Sequence, residues 1–189
     1  LAQRLSAELG IPATFLCADV YDLPRVLPRQ FDVVFTSYGV LCWLPDLDRW
    51  AQLVAHHLRP GGTFYMVEFH PILTMLDDAG ETLAYPYFRQ EAPLRFEARG
   101  SYAAPEADFV HTAYEWPYSL GEVVTALVRA GLCPEFLHEF PYSTWGCWPF
   151  LEEVEPGKWV WQGRRNHLPH LFSVRARRAG EAEGLSQSS

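Results

Sequence analysis

A histidine closes one of the apolar runs of this chain. Glu68, Phe69, His70 and Pro71 end the segment Thr63 to Phe69 (TFYMVEF), which reads as a strand. A neutral imidazole there could take a proton near neutral pH, so His70 is a candidate general base, with Glu68 beside it as a candidate ligand contact. The competing reading of His70 is a strand-end ring hydrogen-bonded to backbone. Two further strand ends carry polar groups. Asp19 and Val20 close Ala13 to Val20 (ATFLCADV), at the end where α/β sheets bind ligands, although a turn Asp is also at home there. Thr36, Ser37 and Tyr38 leave the end of Phe31 to Ser37 (FDVVFTS), and Gly39 suits a tight turn. Ser37 is not a nucleophile elbow, because the chain has no G-x-S-x-G. His167-Leu168-Pro169-His170 has the look of a metal pair, but proline interrupts any helix and no Cys or carboxylate stands at ligand spacing. No metal site is expected.

Aromatic residues are the other resource. Tyr85, Tyr87, Phe88, Phe96 and Tyr102 lie within 71–118, and Trp145, Trp148, Trp159 and Trp161 lie in a late stretch from Tyr142 to Trp161. Trp43 stands alone before a helix. Such rings could wall an apolar small-molecule site, with Trp43 and Trp145 as candidate contacts. They could equally pin long loops as a satellite cluster, or form a subunit interface, as in a homodimer.

The elements that must position these groups follow from periodicity. Leu1, Leu5 and Leu9 lie on one helical face, and Gly10 suits its stop. No capping residue precedes this helix, which predicts that the chain is the C-terminal part of a longer polypeptide. Ala13–Val20, Phe31–Ser37 and Thr63–Phe69 read as strands. Between the last two, Leu47, Trp50, Ala51, Val54 and Leu58 form a helical stripe, with Pro45 in its first turn and Gly61-Gly62 ending the unit. Residues 71–118 have no helical period and suit short strands or a hairpin. Ser119 and Glu122 make an S-x-x-E capping box before the apolar face of Leu120, Val123, Val124, Leu127 and Val128, and Gly131 closes that helix. Pro134–Phe140 and Leu171–Arg177 are the last strands, expected to pair as a hairpin with an antiparallel strand at one edge. Residues 179–189 read as a disordered polar tail. The alternation predicts a mainly parallel sheet covered by helices.

Composition narrows the function. With 189 residues, one domain is expected, and 49% hydrophobic with 20% charged residues is ordinary globular composition. No apolar run is long enough to cross a membrane as a helix. The formal net charge of -8 argues against nucleic-acid binding. Of 15 basic residues only Lys158 is lysine, and the arginines are scattered. Cys17, Cys42, Cys133 and Cys147 show no C-x-x-C spacing, so free thiols in a reducing cytoplasm are expected.

Four segments carry a resemblance: A-D-V-Y-D-L-P at 18–24, F-D-V-V-F-T-S-Y-G-V-L-C-W-L-P-D at 31–46, L-R-P-G-G at 58–62 and S-L-G-E-V-V-T-A-L-V-R-A-G-L at 119–132. In order and spacing they resemble the class I S-adenosylmethionine-dependent methyltransferases of small-molecule type. The resemblance runs from the third strand of that fold to its end. It implies a Rossmann-like methyltransferase sheet, N-terminally truncated. The domain would cover 1–178, with an aromatic-rich insertion at 71–118. The glycine-rich loop and the acidic residue that ends the second strand would lie upstream of Leu1 and be needed for full cofactor binding.

The same resemblance implies roles. Asp19 would accept from the adenine amino group and Val20 would offer its N–H to the ring. Thr36, Ser37 and Tyr38 would face the methionine part of S-adenosylmethionine, whose cationic sulfonium suits carbonyl oxygens and an aromatic face. His70 would take a proton from the methyl acceptor, and the aromatic insertions would form a lid over it. Lacking its upstream neighbours, the 13–20 strand would be loosely held. A sheet of 31–37, 63–69, 134–140 and 171–177 would remain. The main alternative is a non-catalytic remnant of this fold that acts as a protein-interaction module. A dinucleotide-binding dehydrogenase fits Asp19 and L-R-P-G-G poorly.

Overall fold

The computed structural model describes residues 1–101, 104 and 106–180. Helix α1 (Ala2–Glu8) is followed by an extended segment and a 3₁₀ turn at Val20–Asp22, then α2 (Leu23–Val26). Strand β1 (Phe31–Thr36), α3 (Leu47–His57) and β2 (Leu58–Phe69) form a parallel strand–helix–strand crossover unit. A hairpin of β3 (Leu94–Arg99) and β4 (Val110–Glu115) follows, then α4 (Leu120–Arg129) and β5 (Leu132–Phe140). A second hairpin, β6 (Leu151–Glu155) with β7 (Lys158–Trp161), precedes the last strand, β8 (Leu171–Arg178).

The central sheet has the order β1-β2-β8-β5. Its four strands are those expected to remain. β1 and β2 are parallel, and β8 runs antiparallel to both β2 and β5. The antiparallel strand is therefore internal, which corrects the expectation that it would lie at an edge. The reason is the α4 crossover: it returns β5 parallel to β2 but one strand away, and the chain comes back to fill the gap. β8 thus hydrogen-bonds on both sides.

Ala13–Val20 is not a strand. Among the described residues it pairs with no neighbour, and Phe15, Leu16 and Cys17 are exposed. A strand is held by its ladder, and composition alone cannot supply one. The helical face of Leu1, Leu5 and Leu9 forms as expected but is likewise exposed.

Helices α3 and α4 cover one face of the sheet. Trp50, Val54 and Leu127 meet Phe64, Met66 and Val174 in the main core, each side chain contributing roughly 1.5–3 kcal/mol by burial. The α3 start differs from expectation. Asp46 is its cap, accepting the Arg49 N–H at 2.9 Å, so Pro45 precedes the helix rather than standing in its first turn, and Gly61-Gly62 lies inside β2. The capping box at Ser119 and Glu122 is present in full. On the opposite face a cross-strand row of Phe35, Tyr65 and Phe136 stands without a covering helix among the described residues, with Phe35 and Tyr65 stacked at 6.0 Å. No helix among the described residues is long and apolar enough to cross a membrane. The proposed tail lies outside the described residues from 181 onward, as does Tyr102.

Candidate active site at the carboxyl ends of the strands

Topology gathers three loops at one end of the sheet. β1, β2 and β5 all run the same way, so the segments after Thr36, Phe69 and Phe140 emerge together. The register confirms it, with Phe69 opposite Leu171 and Leu171 opposite Phe140. Ligands of open α/β sheets bind outside such strand ends.

The turn after β1 is built by Glu68. Its Oε1 accepts the N–H groups of Gly39 at 2.6 Å and Phe69 at 2.8 Å. Its Oε2 accepts those of Val40 at 2.8 Å and Leu41 at 3.0 Å. The carboxylate is buried, which pushes its pKa up while the four amides pull it down. All this is spent on backbone. In this structure all four of its hydrogen bonds go to backbone, three of them in the turn after β1, so Glu68 shapes that turn. Gly39 is left-handed, and a Cβ there would meet the Phe69 ring at 3.3 Å. Only glycine lets the turn lie against that ring.

Around this turn the expected cofactor residues are placed as follows. Thr36 is half-buried, while Ser37 and Tyr38 are exposed, Tyr38 at 45%. Asp19 caps the 3₁₀ turn, with Oδ1 accepting the Tyr21 N–H at 2.8 Å. Asp19 is exposed and Val20 packs partly on the core. The 3₁₀ turn is fastened to the start of α3: the Tyr21 hydroxyl donates to the Asp46 carbonyl at 2.9 Å and accepts the Asp46 N–H at 3.0 Å. Arg49 lies over the Tyr21 ring at 4.5 Å. Because α3 leaves the carboxyl end of β1, this brings Asp19 and Val20 to the same end of the sheet as Thr36 to Tyr38.

His70 is elsewhere in its chemistry. It is 1% exposed. Nδ1 accepts the Ile72 N–H at 3.2 Å, and Nε2 lies 2.9 Å from Glu139 Oε1. The latter contact sets the ring against the Glu139 carboxylate. Burial holds the ring's pKa below the usual value, against the opposing pull of Glu139. The imidazole ties β2 to β5 and presents no open nitrogen. These contacts are those of a strand-end ring held by its neighbours, the competing reading of His70. His170 is also buried, whereas His167 is exposed, so these two rings do not share a site.

The aromatics divide. Trp148, Trp159 and Trp161 join Leu73, Leu76, Phe150 and Leu151 in a second core. This is the satellite cluster, and Trp148 extends it to the turn by an edge contact with Phe69 at 5.4 Å. Trp43 and Trp145 are each 52% exposed. The insertion is strapped to the loop before α3 by Arg89, which donates to the Pro45 carbonyl at 2.7 Å and to the Tyr118 hydroxyl at 2.6 Å. Tyr118 in turn donates to the Leu44 carbonyl at 2.6 Å. A cleft of about 590 Å³ opens there, between the starts of α3 and α4.

Sequence reasoning passed over Glu115. It ends β4 on the same face as buried Ala113 and is half-buried. The next amide, of Trp116, donates to the Cys42 carbonyl at 2.8 Å. Glu115 and Glu68 both press on the Cys42 thiol, whose pKa burial and these two charges drive upward. The only available signal was an acidic residue closing an insertion strand, which by itself says little.

Comparison with known proteins agrees with this architecture. Residues 1–66 match the Methyltransferase domain family. No curated protein matches the sequence. Among solved structures, an S-adenosylmethionine-dependent methyltransferase from Clostridium acetobutylicum superposes with a TM-score of 0.57 at 14% identity, over 95% of this chain and 70% of that one. One from Mesorhizobium loti gives 0.54 at 20% identity, over 94% and 76%. The glycopeptide N-methyltransferase MtfA, solved with S-adenosylhomocysteine, gives 0.50 at 17% identity, over 94% and 67%. The chain therefore has the fold of the class I S-adenosylmethionine-dependent methyltransferases, and its first 66 residues match the Methyltransferase domain.

Proposed function

We propose that the protein is a methyltransferase that binds S-adenosylmethionine at the carboxyl ends of β1 and β2 and delivers its methyl group to a small apolar or aromatic acceptor. The domain is taken to span 1–178, with 71–118 inserted. One observation carries the reading: the Tyr21–Asp46 fastening brings Asp19 and Val20 to the same sheet end as the Glu68-built turn.

The residues there fit the cofactor's chemistry. Adenine offers an amino donor beside a ring acceptor. Asp19 has Oδ2 uncommitted among the described residues, and the Val20 N–H is likewise unused. Asp19 would hold the amino group and Val20 the ring nitrogen. Tyr38 presents an exposed ring and the Ser37 and Tyr38 carbonyls point to no partner among the described residues, a setting suited to a sulfonium cation. When bound, the group supplies an electrophilic methyl. The chain then contributes mainly position, since displacement on a methyl carbon gains most from holding two reactants in line. Exposed Trp43 and Trp145 would line the acceptor side. The four free thiols and acidic charge suit a cytoplasmic enzyme that does not act on nucleic acid.

Calorimetric titration with S-adenosylhomocysteine tests this. Saturable binding that Asp19→Ala weakens supports it. No binding by the chain, alone or within a longer polypeptide that contains it, would move the reading to a partner-binding remnant of the fold.

A further inference from the structure

Between β1 and α3 one peptide group is gripped at both ends. The Pro45 carbonyl and the Asp46 N–H belong to the same peptide bond, which is planar and rigid, with the two groups pointing in opposite directions. The carbonyl accepts from Arg89 of the insertion at 2.7 Å. The N–H donates to the Tyr21 hydroxyl at 3.0 Å. The two grips therefore come from segments far apart in the chain.

Each grip is itself braced. Tyr21 also donates to the Asp46 carbonyl at 2.9 Å, and Arg49 lies over its ring at 4.5 Å and donates to its carbonyl at 3.3 Å. Tyr21 follows Val20 directly, and its own amide is accepted by Asp19. Its hydroxyl thus reaches out from the turn that carries both adenine-side residues. At the other end Arg89 donates to the Tyr118 hydroxyl, which donates to the Leu44 carbonyl, each at 2.6 Å. Three successive carbonyls, of Leu44, Pro45 and Asp46, are taken by Tyr118, Arg89 and Tyr21 in turn.

A rigid plane cannot turn at one end only. Rotation that releases Arg89 also misdirects the N–H aimed at Tyr21, and the reverse holds. The proline ring fixes a torsion beside the plane, which leaves it fewer ways to adjust. A cationic donor on the carbonyl also polarises the amide and strengthens its N–H as a donor.

We propose that Tyr21 and Arg89 are positioning residues linked through the Pro45–Asp46 peptide. The insertion, when strapped down by Arg89, fixes the Asp19–Val20 turn, and a cofactor bound at that turn holds the insertion down. This rests on the methyltransferase reading for the identity of the ligand and deepens it by tying cofactor binding to the insertion. The link is reciprocal, because a coupling free energy has the same value from either side.

The test uses the full chain as wild type, Tyr21→Phe, Arg89→Ala and the double variant. Tyr21→Phe keeps the ring under Arg49 and loses only the hydroxyl, so a folded spectrum is expected of all four. NMR follows solvent exchange of the Asp46 and Tyr21 amides, and limited proteolysis follows cleavage within 81–93. Tyr21→Phe should speed exchange at Asp46, its direct partner, about fivefold. Arg89→Ala should speed exchange at both amides, although it bonds to neither. Tyr21→Phe should speed cleavage within 81–93, a segment with which it shares no hydrogen bond among the described residues. The double variant should be little worse than either single one, because both bonds fail together. Effects confined to each residue's own contacts, or rate factors that multiply in the double variant, would overturn the proposal. Calorimetry on the same set measures S-adenosylhomocysteine affinity, with the chain alone or within a longer polypeptide that contains it. A loss of about fivefold is expected in either single variant. Wild-type affinity in Arg89→Ala would overturn the coupling and leave the methyltransferase reading standing. No binding by the wild type would count against that reading, and exchange and cleavage then decide the link.

Discussion

Glu68 accepts the Gly39 N–H at 2.6 Å, so the end of β2 dictates the shape of the turn that leaves β1. Three further amides converge on the same carboxylate. The arrangement makes a parallel strand pair and its ligand-facing turn one unit. Truncating the side chain to alanine would leave four N–H groups, one buried and three part-buried, without this acceptor.

Glu68→Ala should therefore lower stability by about 3–5 kcal/mol, the range for removing one partner from a buried charged network. Glu68→Gln keeps one oxygen acceptor and should lose less. Urea unfolding of both variants checks the order. If the turn forms the cofactor site, S-adenosylhomocysteine affinity should fall in Glu68→Gln under conditions where it remains folded. Equal stability of the two variants would contradict the four-bond account.

The 81–93 part of the insertion should be strapped to the loop before α3 by Arg89. Arg89 bridges the Pro45 carbonyl and the Tyr118 hydroxyl, and its charge opposes the burial that pushes the Tyr118 phenol up to about 12. Arg89 itself is exposed, so its loss removes a strap without opening a core cavity. Arg89→Ala should change global stability by no more than about 1 kcal/mol. It should also accelerate proteolysis within residues 81–93, because local opening tracks few and exposed contacts. Unchanged cleavage rates would show that the strap is incidental.

Much of the sheet was legible in the sequence because strand, crossover helix and strand each leave a local signal. The capping box at Ser119, the stripe from Leu47 to Val54 and the runs at 31–37 and 171–177 all depend on neighbours within a few residues. What was not legible depended on distant partners. Ala13–Val20 reads as a strand by composition, but no ladder receives it. Glu68 and His70 read as site residues because they end a strand. Whether a strand-end polar group faces ligand or backbone is decided by chain far away: Gly39 to Leu41 in one case and Glu139 in the other. Trp148 and Trp145 are indistinguishable in sequence, and only packing on the second core and Phe69 separates the first from the exposed second.

A glycine in the late loop has a steric role that spacing could not reveal. A Cβ on Gly146 would lie 2.5 Å from the Trp159 ring, which is half-buried and packed on the second core. The main chain that carries the ring is fixed too, as Ser143 and Trp159 exchange two backbone hydrogen bonds at 2.8 Å. Gly146→Ala should cost about 1–3 kcal/mol by overpacking, visible as a lower denaturation midpoint. Trp159→Phe combined with Gly146→Ala should recover part of the loss by making room. A neutral Gly146→Ala would mean that the loop shifts freely.

Acid should weaken the protein through His170. The ring is 1% exposed, and burial lowers its pKa from 6.5 to about 4, with neither ring nitrogen hydrogen-bonded among the described residues. Its folded pKa lies below its unfolded one, so the unfolded chain binds the extra proton as pH falls. The stabilisation is complete above about pH 6.5 and is lost progressively as the pH drops towards about 4, with a ceiling on the order of 3 kcal/mol. His70 shifts in the same direction, opposed by Glu139, and adds to the same window. Neutral His170 is roughly the shape of a flat apolar ring, so His170→Phe should fold and remove the larger part of the slope. Urea midpoints measured from about pH 7 down to about pH 4.5 on both proteins separate the contributions. Carboxylates that lose their ion pairs act mostly below this range and appear equally in the two chains. A wild-type curve that stays level through the window, or a variant that keeps the wild-type slope, would place the acid sensitivity elsewhere than His170.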